Sequence, residues 1–219
     1  MNKTITKTLS GIYAITDAKL MGADLITKAE DAINGGIRVL QYRNKNAPAA
    51  QQFTEASTLA TLCRNKNVTF IINDNVELAK SVNADGVHLG QQDTHLSKAR
   101  QQLGNNKIIG VTCNNQLEYA LTAQSGGADY VAFGRFFNSQ TKPGAPHADI
   151  SLLTHARSAI SIPVVAIGGI TYETAPLLLQ QGADMLAIIH GIFAQQDIIN
   201  ATRQFVKIYE TSRTPEVSV

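Results

Sequence analysis

The chain has 219 residues, of which 44% are hydrophobic and 16% are charged, and its formal net charge is +2. This length predicts one large domain with a sizeable core, and the near-neutral charge argues against nucleic acid or a membrane surface as a partner. Cys63 and Cys113 form neither a metal-binding spacing nor a disulfide framework. The first ten residues lack the apolar region of a signal peptide, and no apolar run approaches the ~20 residues that span a bilayer. We therefore expect a cytoplasmic protein.

Apolar segments and helical patterns alternate along the whole chain. The predicted strands are 12–16, 37–42, 68–72, 87–89, 108–111, 130–134, 163–167 and 185–189. The predicted helices are 24–33, 48–66, 76–82, 96–103, 116–125, 150–160, 171–181 and 193–209. Eight such units at a mean period of about 25 residues predict a parallel eight-stranded TIM (β/α)8 barrel. The barrel would occupy residues 1–210 as a single domain, and residues 211–219 would form a flexible tail.

A short phrase recurs before three of the predicted strands. It reads NADGV at 83–87, GADYV at 127–131 and GADML at 182–186. Each copy has a helix-ending Asn or Gly, then Ala-Asp, then a strand, which indicates that one strand–helix unit is reused. An open doubly wound sheet fits less well, because no G-x-G-x-x-G motif follows the first strand.

Two acids follow neighbouring predicted strands. Asp74 comes directly after the third strand and Asp93 follows the fourth. Parallel neighbours end at the same rim of a sheet, so both carboxylates are expected on one rim, where they could bind a hard cation. Capping is the alternative: Asp74 and Glu77 fit a capping box, and Asp93 could cap a helix that starts near Thr94.

Other polar residues are also expected at the carboxyl ends of strands, where TIM-barrel enzymes have their active sites. They are Gln41, Arg43, Lys45, Asn73, Thr112, Arg135, the segment Ser139-Gln140-Thr141-Lys142, Gly168-Gly169, and His190-Gly191. The turns after strands seven and eight occupy the usual phosphate-binding corner, and Arg43 with Lys45 suits a polyanion. The sequence thus predicts an enzyme that binds a diphosphate with Mg²⁺ and a second, phosphorylated ligand. We expect His88, inside a strand, to be a packed barrel residue.

These residues lie in motifs that resemble the thiamine-phosphate synthase family. The motifs are YAIT at 13–16, QYRNK at 41–45, INDNVELA at 72–79, ADGVHLGQQD at 84–93, GADYVAFG at 127–134, SQTK at 139–142 and VAIGGI at 165–170. The resemblance runs in order from about residue 12 to residue 193. It implies a transferase that joins 4-amino-2-methyl-5-pyrimidinylmethyl diphosphate to a thiazole phosphate and yields thiamine phosphate and pyrophosphate.

The resemblance also implies roles for individual residues. Mg²⁺ would bind Asp74 and Asp93. The pyrimidine diphosphate would bind Gln41, Arg43, Lys45, Asn73, Thr112 and Lys142, with Arg43, Lys45 and Lys142 also catalytic. The thiazole phosphate would bind Ser139, Thr141, Gly169, Ile189 and His190. The adjoining Tyr42, Asn44 and Gln140 are further candidate substrate-binding residues.

The chain departs from the family pattern at several positions. Asn44 stands where an acid is common, Arg135 where proline is common, Asn138-Ser139 in place of Pro-Thr, and His190 in place of a small hydroxyl residue.

Three alternatives to this function remain open. They are a thiazole tautomerase-like barrel, a non-catalytic barrel that binds thiazole phosphate, and a Schiff-base aldolase that uses Lys142. A homo-oligomer is compatible with the sequence.

Overall fold

Eight parallel strands form a closed barrel in the order of the sequence, which confirms the predicted TIM barrel. The structure is a computed structural model and describes residues 9–138, 144 and 146–213. The strands are β1 Gly11–Ile15, β2 Val39–Tyr42, β3 Thr69–Asn73, β4 Gly86–Leu89, β5 Ile108–Asn114, β6 Tyr130–Phe133, β7 Val164–Ile167 and β8 Met185–Ile188.

The helices pack around the outside of the barrel. They are α1 Ala18–Met21, α2 Leu25–Asn34, α3 Ala49–Asn65, α4 Val76–Ser81, α5 Leu96–Leu103, α6 Leu117–Ser125, α7 Ser151–Ala159, α8 Ala175–Gln180, α9 His190–Phe193 and α10 Ile198–Arg213. Successive strand residues point to opposite faces, so Ile12 belongs to the core under the helices and Tyr13 to the core inside the barrel. In the described part of the chain, no helix is long and apolar enough to cross a membrane.

The recurring Ala-Asp phrase has a structural role at the amino-terminal end of the barrel. Each Asp donates its backbone N–H to a carbonyl oxygen of the preceding strand, and its carboxylate accepts the N–H of that same residue. The pairs are Asp85 with Phe70, Asp129 with Ile109, and Asp184 with Val164. These bonds satisfy polar backbone groups that are otherwise costly to bury.

The last helices differ from the prediction of one helix over 193–209. A short helix, α9, comes first, and α10 then extends to Arg213. Residue 211, where the tail was predicted to begin, therefore lies inside α10. The reason is a contact that sequence periodicity does not show. Arg213 Nη2 donates to Asp184 Oδ1 at 2.8 Å and to the Ala183 carbonyl at 3.4 Å, which fixes the last turn against the barrel.

Candidate active site

The barrel has a cavity of about 570 Å³ at the carboxyl ends of its strands. Most residues that the sequence predicted for the site line this cavity. They are Gln41, Arg43, Lys45, Asn73, Asp74, Asp93, Thr112, Gly169, Ile189 and His190. The structure thus brings together residues that are up to about 150 positions apart, as the barrel topology requires.

The two acids lie side by side in this cavity, and Lys45 is next to them. Lys45 Nζ is 2.5 Å from Asp74 Oδ2. The pKa of Asp93 is raised by burial, and the neighbouring Asp74 raises it further, against the lowering effects of the Gly90 N–H and of Lys45. Two carboxylates this close repel one another, and an added cation would relieve that repulsion.

Neither acid caps a helix, so the capping alternatives are wrong. The side chain that caps α4 is that of Asn75, whose Oδ1 accepts the Leu78 N–H at 2.9 Å. Asp74 itself has a left-handed backbone, with φ of 61°. Asp93 Oδ2 accepts the Gly90 N–H at 2.8 Å, which leaves the first turn of α5 without a side-chain cap.

The donor set of this acid pair suits magnesium better than a transition metal. Among the described residues, no group of three or more His, Cys, Asp or Glu side chains could hold a metal ion. Mg²⁺ does not need such a group, because it keeps several waters and commonly binds one or two carboxylates plus substrate phosphates. Asp74 and Asp93 fit that requirement, with Lys45 beside them.

The segment 41–45 divides between the cavity and the helix layer. Gln41, Arg43 and Lys45 line the cavity, as their alternation predicts. Tyr42 and Asn44 are not among the residues that line it, so their assignment to substrate binding stays a prediction. The Tyr42 hydroxyl donates to Glu55 Oε2 of α3 at 2.7 Å, and Asn44 Nδ2 donates to the same oxygen at 3.0 Å.

A hydrogen-bonded row of buried side chains forms part of the cavity floor. Gln41 Nε2 donates to the Tyr13 hydroxyl at 2.6 Å, and that hydroxyl is 2.8 Å from the hydroxyl of Tyr130. His88 Nδ1 is 2.9 Å from the Tyr130 hydroxyl, and His88 Nε2 is 2.7 Å from Thr112 Oγ1. His88 therefore packs inside the barrel, as predicted, and it also lines the cavity.

Tyr13 was not among the residues predicted for the site, although it lines the cavity. In the sequence it appears only as one more apolar residue of the first strand. Its inward position follows from strand alternation combined with the register, in which Tyr13 pairs with Val39 of β2 and Ala187 of β8. The register is not readable from a single strand.

The predicted phosphate corner lies between the ends of β7 and β8. Ile189 and His190 line the cavity there together with Gly168 and Gly169. Gly169 has φ of 64°, and a Cβ at this position would stand 2.3 Å from the Asn138 carbonyl oxygen. The close approach of its own chain therefore already requires glycine here, whether or not a ligand approaches.

The loop after β6 is only partly described. Arg135 and Asn138 line the cavity, and Arg135 Nη1 donates to Asn138 Oδ1 at 3.2 Å. The candidates Ser139, Gln140, Thr141 and Lys142 lie outside the described residues.

Comparison with known proteins identifies the family. The chain matches the family described as TMP-TENI, thiamine monophosphate synthase, over residues 12–192. The chain belongs to this family. A solved structure of thiamine phosphate pyrophosphorylase from Pyrococcus furiosus is 34% identical, with a TM-score of 0.86, and the match covers 93% of this chain and 97% of that one. Together these findings support a thiamine-phosphate synthase, a transferase of thiamine biosynthesis.

More distant structures share the barrel fold alone. Thiamine phosphate pyrophosphorylase from Bacteroides thetaiotaomicron is 14% identical with a TM-score of 0.71, and the match covers 94% of this chain and 100% of that one. (S)-3-O-geranylgeranylglyceryl phosphate synthase from Thermoplasma acidophilum, solved with sn-glycerol-1-phosphate, is 19% identical with a TM-score of 0.68. That match covers 96% of this chain and 94% of the other.

Proposed function

We propose that this enzyme condenses 4-amino-2-methyl-5-pyrimidinylmethyl diphosphate with a thiazole phosphate to give thiamine phosphate and pyrophosphate, with Mg²⁺ as cofactor. The observation that carries the proposal is the cluster of Asp74, Asp93, Lys45 and Arg43 on one wall of a single cavity. Two carboxylates beside two cations suit a diphosphate that is held partly by metal and partly by basic side chains.

The diphosphate end of the pyrimidine substrate would lie against this wall. Asp74 and Asp93 would hold Mg²⁺, which when bound neutralises charge on the departing diphosphate. Arg43 and Lys45 supply fixed positive charge to the remaining oxygens, which stabilises the charge that develops as the carbon–oxygen bond breaks. Lys142 is the third proposed cation. Gln41, Asn73 and Thr112 would hold the pyrimidine side of this substrate.

Bond breaking leaves positive charge on the pyrimidine methylene carbon, and the aminopyrimidine ring delocalises that charge. The thiazole nitrogen then forms the new bond to the same carbon, so no nucleophile of the protein is needed. Gly169, Ile189 and His190, with Ser139 and Thr141, would bind the thiazole phosphate and hold the nitrogen close to the carbon.

The thiazole tautomerase-like alternative is less well supported. Such a barrel needs no diphosphate and so gives no reason for two adjacent acids beside Lys45 in the cavity. It also typically has a histidine after the sixth strand, where this chain has Arg135. A non-catalytic barrel that only binds thiazole phosphate leaves the same wall of charges unexplained.

We further propose that the enzyme acts in the cytoplasm without nucleic-acid or membrane partners; a homo-oligomer is compatible with this proposal.

The test is incubation of the purified protein with both substrates and Mg²⁺, followed by chromatography for thiamine phosphate and pyrophosphate. Asp74→Asn and Asp93→Asn should each slow turnover about 30- to 1000-fold, on the order of 2–4 kcal/mol. Asp24→Asn is the matched control, because Asp24 is an exposed acid that does not line the cavity. Undiminished activity in excess EDTA, or near-normal turnover by both cavity variants, would refute the magnesium assignment. Absence of product with wild-type protein would refute the proposed function.

A further inference from the structure

The row of buried side chains under the cavity has a direction, because each hydroxyl has only one proton to donate. Gln41 donates from Nε2 to Tyr13, so the Tyr13 hydroxyl is free to donate to Tyr130. Tyr130 then donates to Nδ1 of His88, which as a neutral ring carries its proton on Nε2 and donates it to Thr112. In this direction every contact in the row is a donor–acceptor pair.

The direction can be reversed only as a whole. If Tyr130 donated to Tyr13 instead, the Tyr13 proton would need a different acceptor. The acceptor in reach is Gln41 Oε1, after a flip of the side-chain amide that exchanges Nε2 and Oε1. His88 would then carry its proton on Nδ1. The orientation of the Gln41 amide and the tautomer of His88 are therefore coupled through the two tyrosines. A mixed arrangement would leave a buried donor unpaired, which costs more than an ordinary hydrogen bond gives.

Both tyrosine hydroxyls keep their protons at neutral pH. Burial raises the pKa of Tyr13 far above its ordinary value of 10.0, although the hydrogen bonds to Tyr130 and Gln41 act against this. Burial also raises the pKa of Tyr130, and the adjacent Tyr13 and the charge of Asp129 raise it further. Each of the two tyrosines therefore keeps one proton to donate at neutral pH, so neither hydroxyl becomes an acceptor only.

The cavity end of the row is the Gln41 carbonyl oxygen. In the described part of the chain, the one buried side-chain polar atom without a hydrogen-bond partner is Thr202 Oγ1. Gln41 Oε1 also has no hydrogen-bond partner among the described residues, but unlike Thr202 Oγ1 it is not a fully buried atom. Part of its surface is therefore open to the cavity that Gln41 lines. An open carbonyl oxygen accepts a hydrogen bond and cannot donate one.

We propose that Tyr13, Tyr130 and His88 are positioning residues that hold the Gln41 carbonyl oxygen towards the ligand and thereby select a pyrimidine with an amino group at ring position 4. This inference rests on the proposed function for the placement of the pyrimidine beside Gln41. A 4-amino group donates to the oxygen, whereas the 4-oxo group of a hydroxylated analogue would place two acceptors against each other. A site built for one partner rejects the other because its buried polar group is left unpaired.

The same orientation favours the reaction. As the diphosphate leaves, the amino nitrogen shares the positive charge of the ring, and its N–H bonds become stronger donors. An acceptor at Gln41 Oε1 stabilises that charge, whereas the amide NH₂ group would oppose it. The row therefore acts on both the choice of substrate and the bond-breaking step, without any of its three positioning residues being the leaving-group partner.

The test measures affinity by calorimetry for 4-amino-2-methyl-5-pyrimidinylmethyl diphosphate and for its 4-oxo analogue, at fixed Mg²⁺. The wild-type protein should prefer the amino compound by about tenfold or more. Tyr130→Phe removes one oxygen two hydrogen bonds away from the Gln41 amide and should reduce the preference to about threefold or less. Tyr13→Phe should have the same effect and serves if Tyr130→Phe does not fold. Tyr209→Phe, which removes a hydroxyl that donates to the Asp184 carbonyl at 3.0 Å, is the control and should keep the full preference.

Three outcomes would overturn the inference: a wild-type protein that does not discriminate, a Tyr130→Phe variant that loses thermal stability but keeps the wild-type affinity ratio, and an equal loss of preference in the Tyr209→Phe control. Because the readout is a ratio of affinities, it does not depend on product formation. A protein that binds the amino compound selectively but forms no thiamine phosphate would refute the proposed function and leave the positioning role standing.

Discussion

Replacement of Glu55 by Ala should weaken diphosphate binding although Glu55 does not line the cavity. Its carboxylate accepts three hydrogen bonds, from the Tyr42 hydroxyl at 2.7 Å, from Asn44 Nδ2 at 3.0 Å and from Gln51 Nε2 at 2.7 Å. Two of these donors flank Arg43 in the segment that leads from β2 to α3. The carboxylate therefore ties to α3 the stretch of chain that presents Arg43 and Lys45 to the cavity.

The size of the effect follows from what the change leaves behind. Tyr42 is 2% exposed, so its hydroxyl would be buried without an acceptor in the Glu55→Ala variant. Such a group costs about 1–3 kcal/mol, and bonds to a charged acceptor add to the loss. We expect the free energy of unfolding to fall by about 2–3 kcal/mol. In Tyr42→Phe/Glu55→Ala no hydroxyl is stranded, so this double variant should be more stable than Glu55→Ala alone.

Urea denaturation measures the stability change, and steady-state kinetics measures the effect on the site. The KM for the pyrimidine diphosphate should rise on the order of tenfold, because a displaced cation loses part of a charge-assisted contact, while the KM for the thiazole phosphate should stay within about twofold. Glu30→Ala on α2 is the control for loss of a helix acid. It should change neither the free energy of unfolding nor the KM for the pyrimidine diphosphate. Wild-type stability together with a wild-type KM in Glu55→Ala would refute this account of the β2–α3 connection.

The pH dependence of stability gives a second measurement on the same residue. Burial tends to raise the pKa of Glu55, but the hydrogen bonds from Tyr42, Gln51 and Asn44 outweigh it, so the folded-state pKa lies below the ordinary value of 4.5. A carboxyl group with a lowered folded pKa stabilises the protein above its unfolded pKa, and the contribution is lost as the pH falls through the folded pKa. The stability difference between wild type and Glu55→Gln should therefore shrink as the pH is lowered below about 4.5.

The remaining predictions concern stability around the barrel. Asp129→Ala removes the acceptor of a buried N–H and of Arg100 Nη2 at 2.7 Å, so urea denaturation should show a loss of about 3–5 kcal/mol. Thr202→Val removes a buried hydroxyl that has no partner in the described part of the chain and should raise the melting temperature by a few degrees, about 1 kcal/mol. Gly169→Ala should lower the melting temperature, because its Cβ meets the Asn138 carbonyl oxygen whether or not a ligand is bound; a variant as stable as the wild type would contradict this. Arg213→Ala should expose the last turn of α10 to proteolysis, whereas a chain cut after Arg213 should keep that turn protected.

The fold was predictable because its signal is repeated eight times. Any one strand and helix is a weak pattern, but a regular alternation of this length is compatible with few architectures. The end of the chain was predicted less well, since its helix boundary depends on the pairing of Arg213 with Asp184 across 29 positions. Periodicity describes one segment at a time and cannot register a contact of that kind.

The candidate site was predictable where backbone position alone decides it. Asp74 and Asp93 follow directly from the rule that strands end at the active-site rim. Tyr42 and Asn44 were assigned with their neighbours, although alternation along the extended chain turns them towards Glu55. Tyr13 was missed because its hydroxyl, which joins the row under the cavity, is indistinguishable in sequence from the apolar side chains around it.

Aspartates serve opposite ends of this barrel in different ways. At the amino-terminal end, Asp129 and Asp184 are each held by a backbone N–H and an arginine, so their charge is compensated within the protein. At the carboxyl end, Asp74 and Asp93 face each other with Lys45 as their partner, and the pKa of Asp93 is raised by burial and by its neighbour. Compensated acids stabilise the fold and need no ligand. A pair of close acids, of which Asp74 has Lys45 as its ion-pair partner, costs stability until further positive charge arrives, and this is the condition expected of residues that bind a ligand.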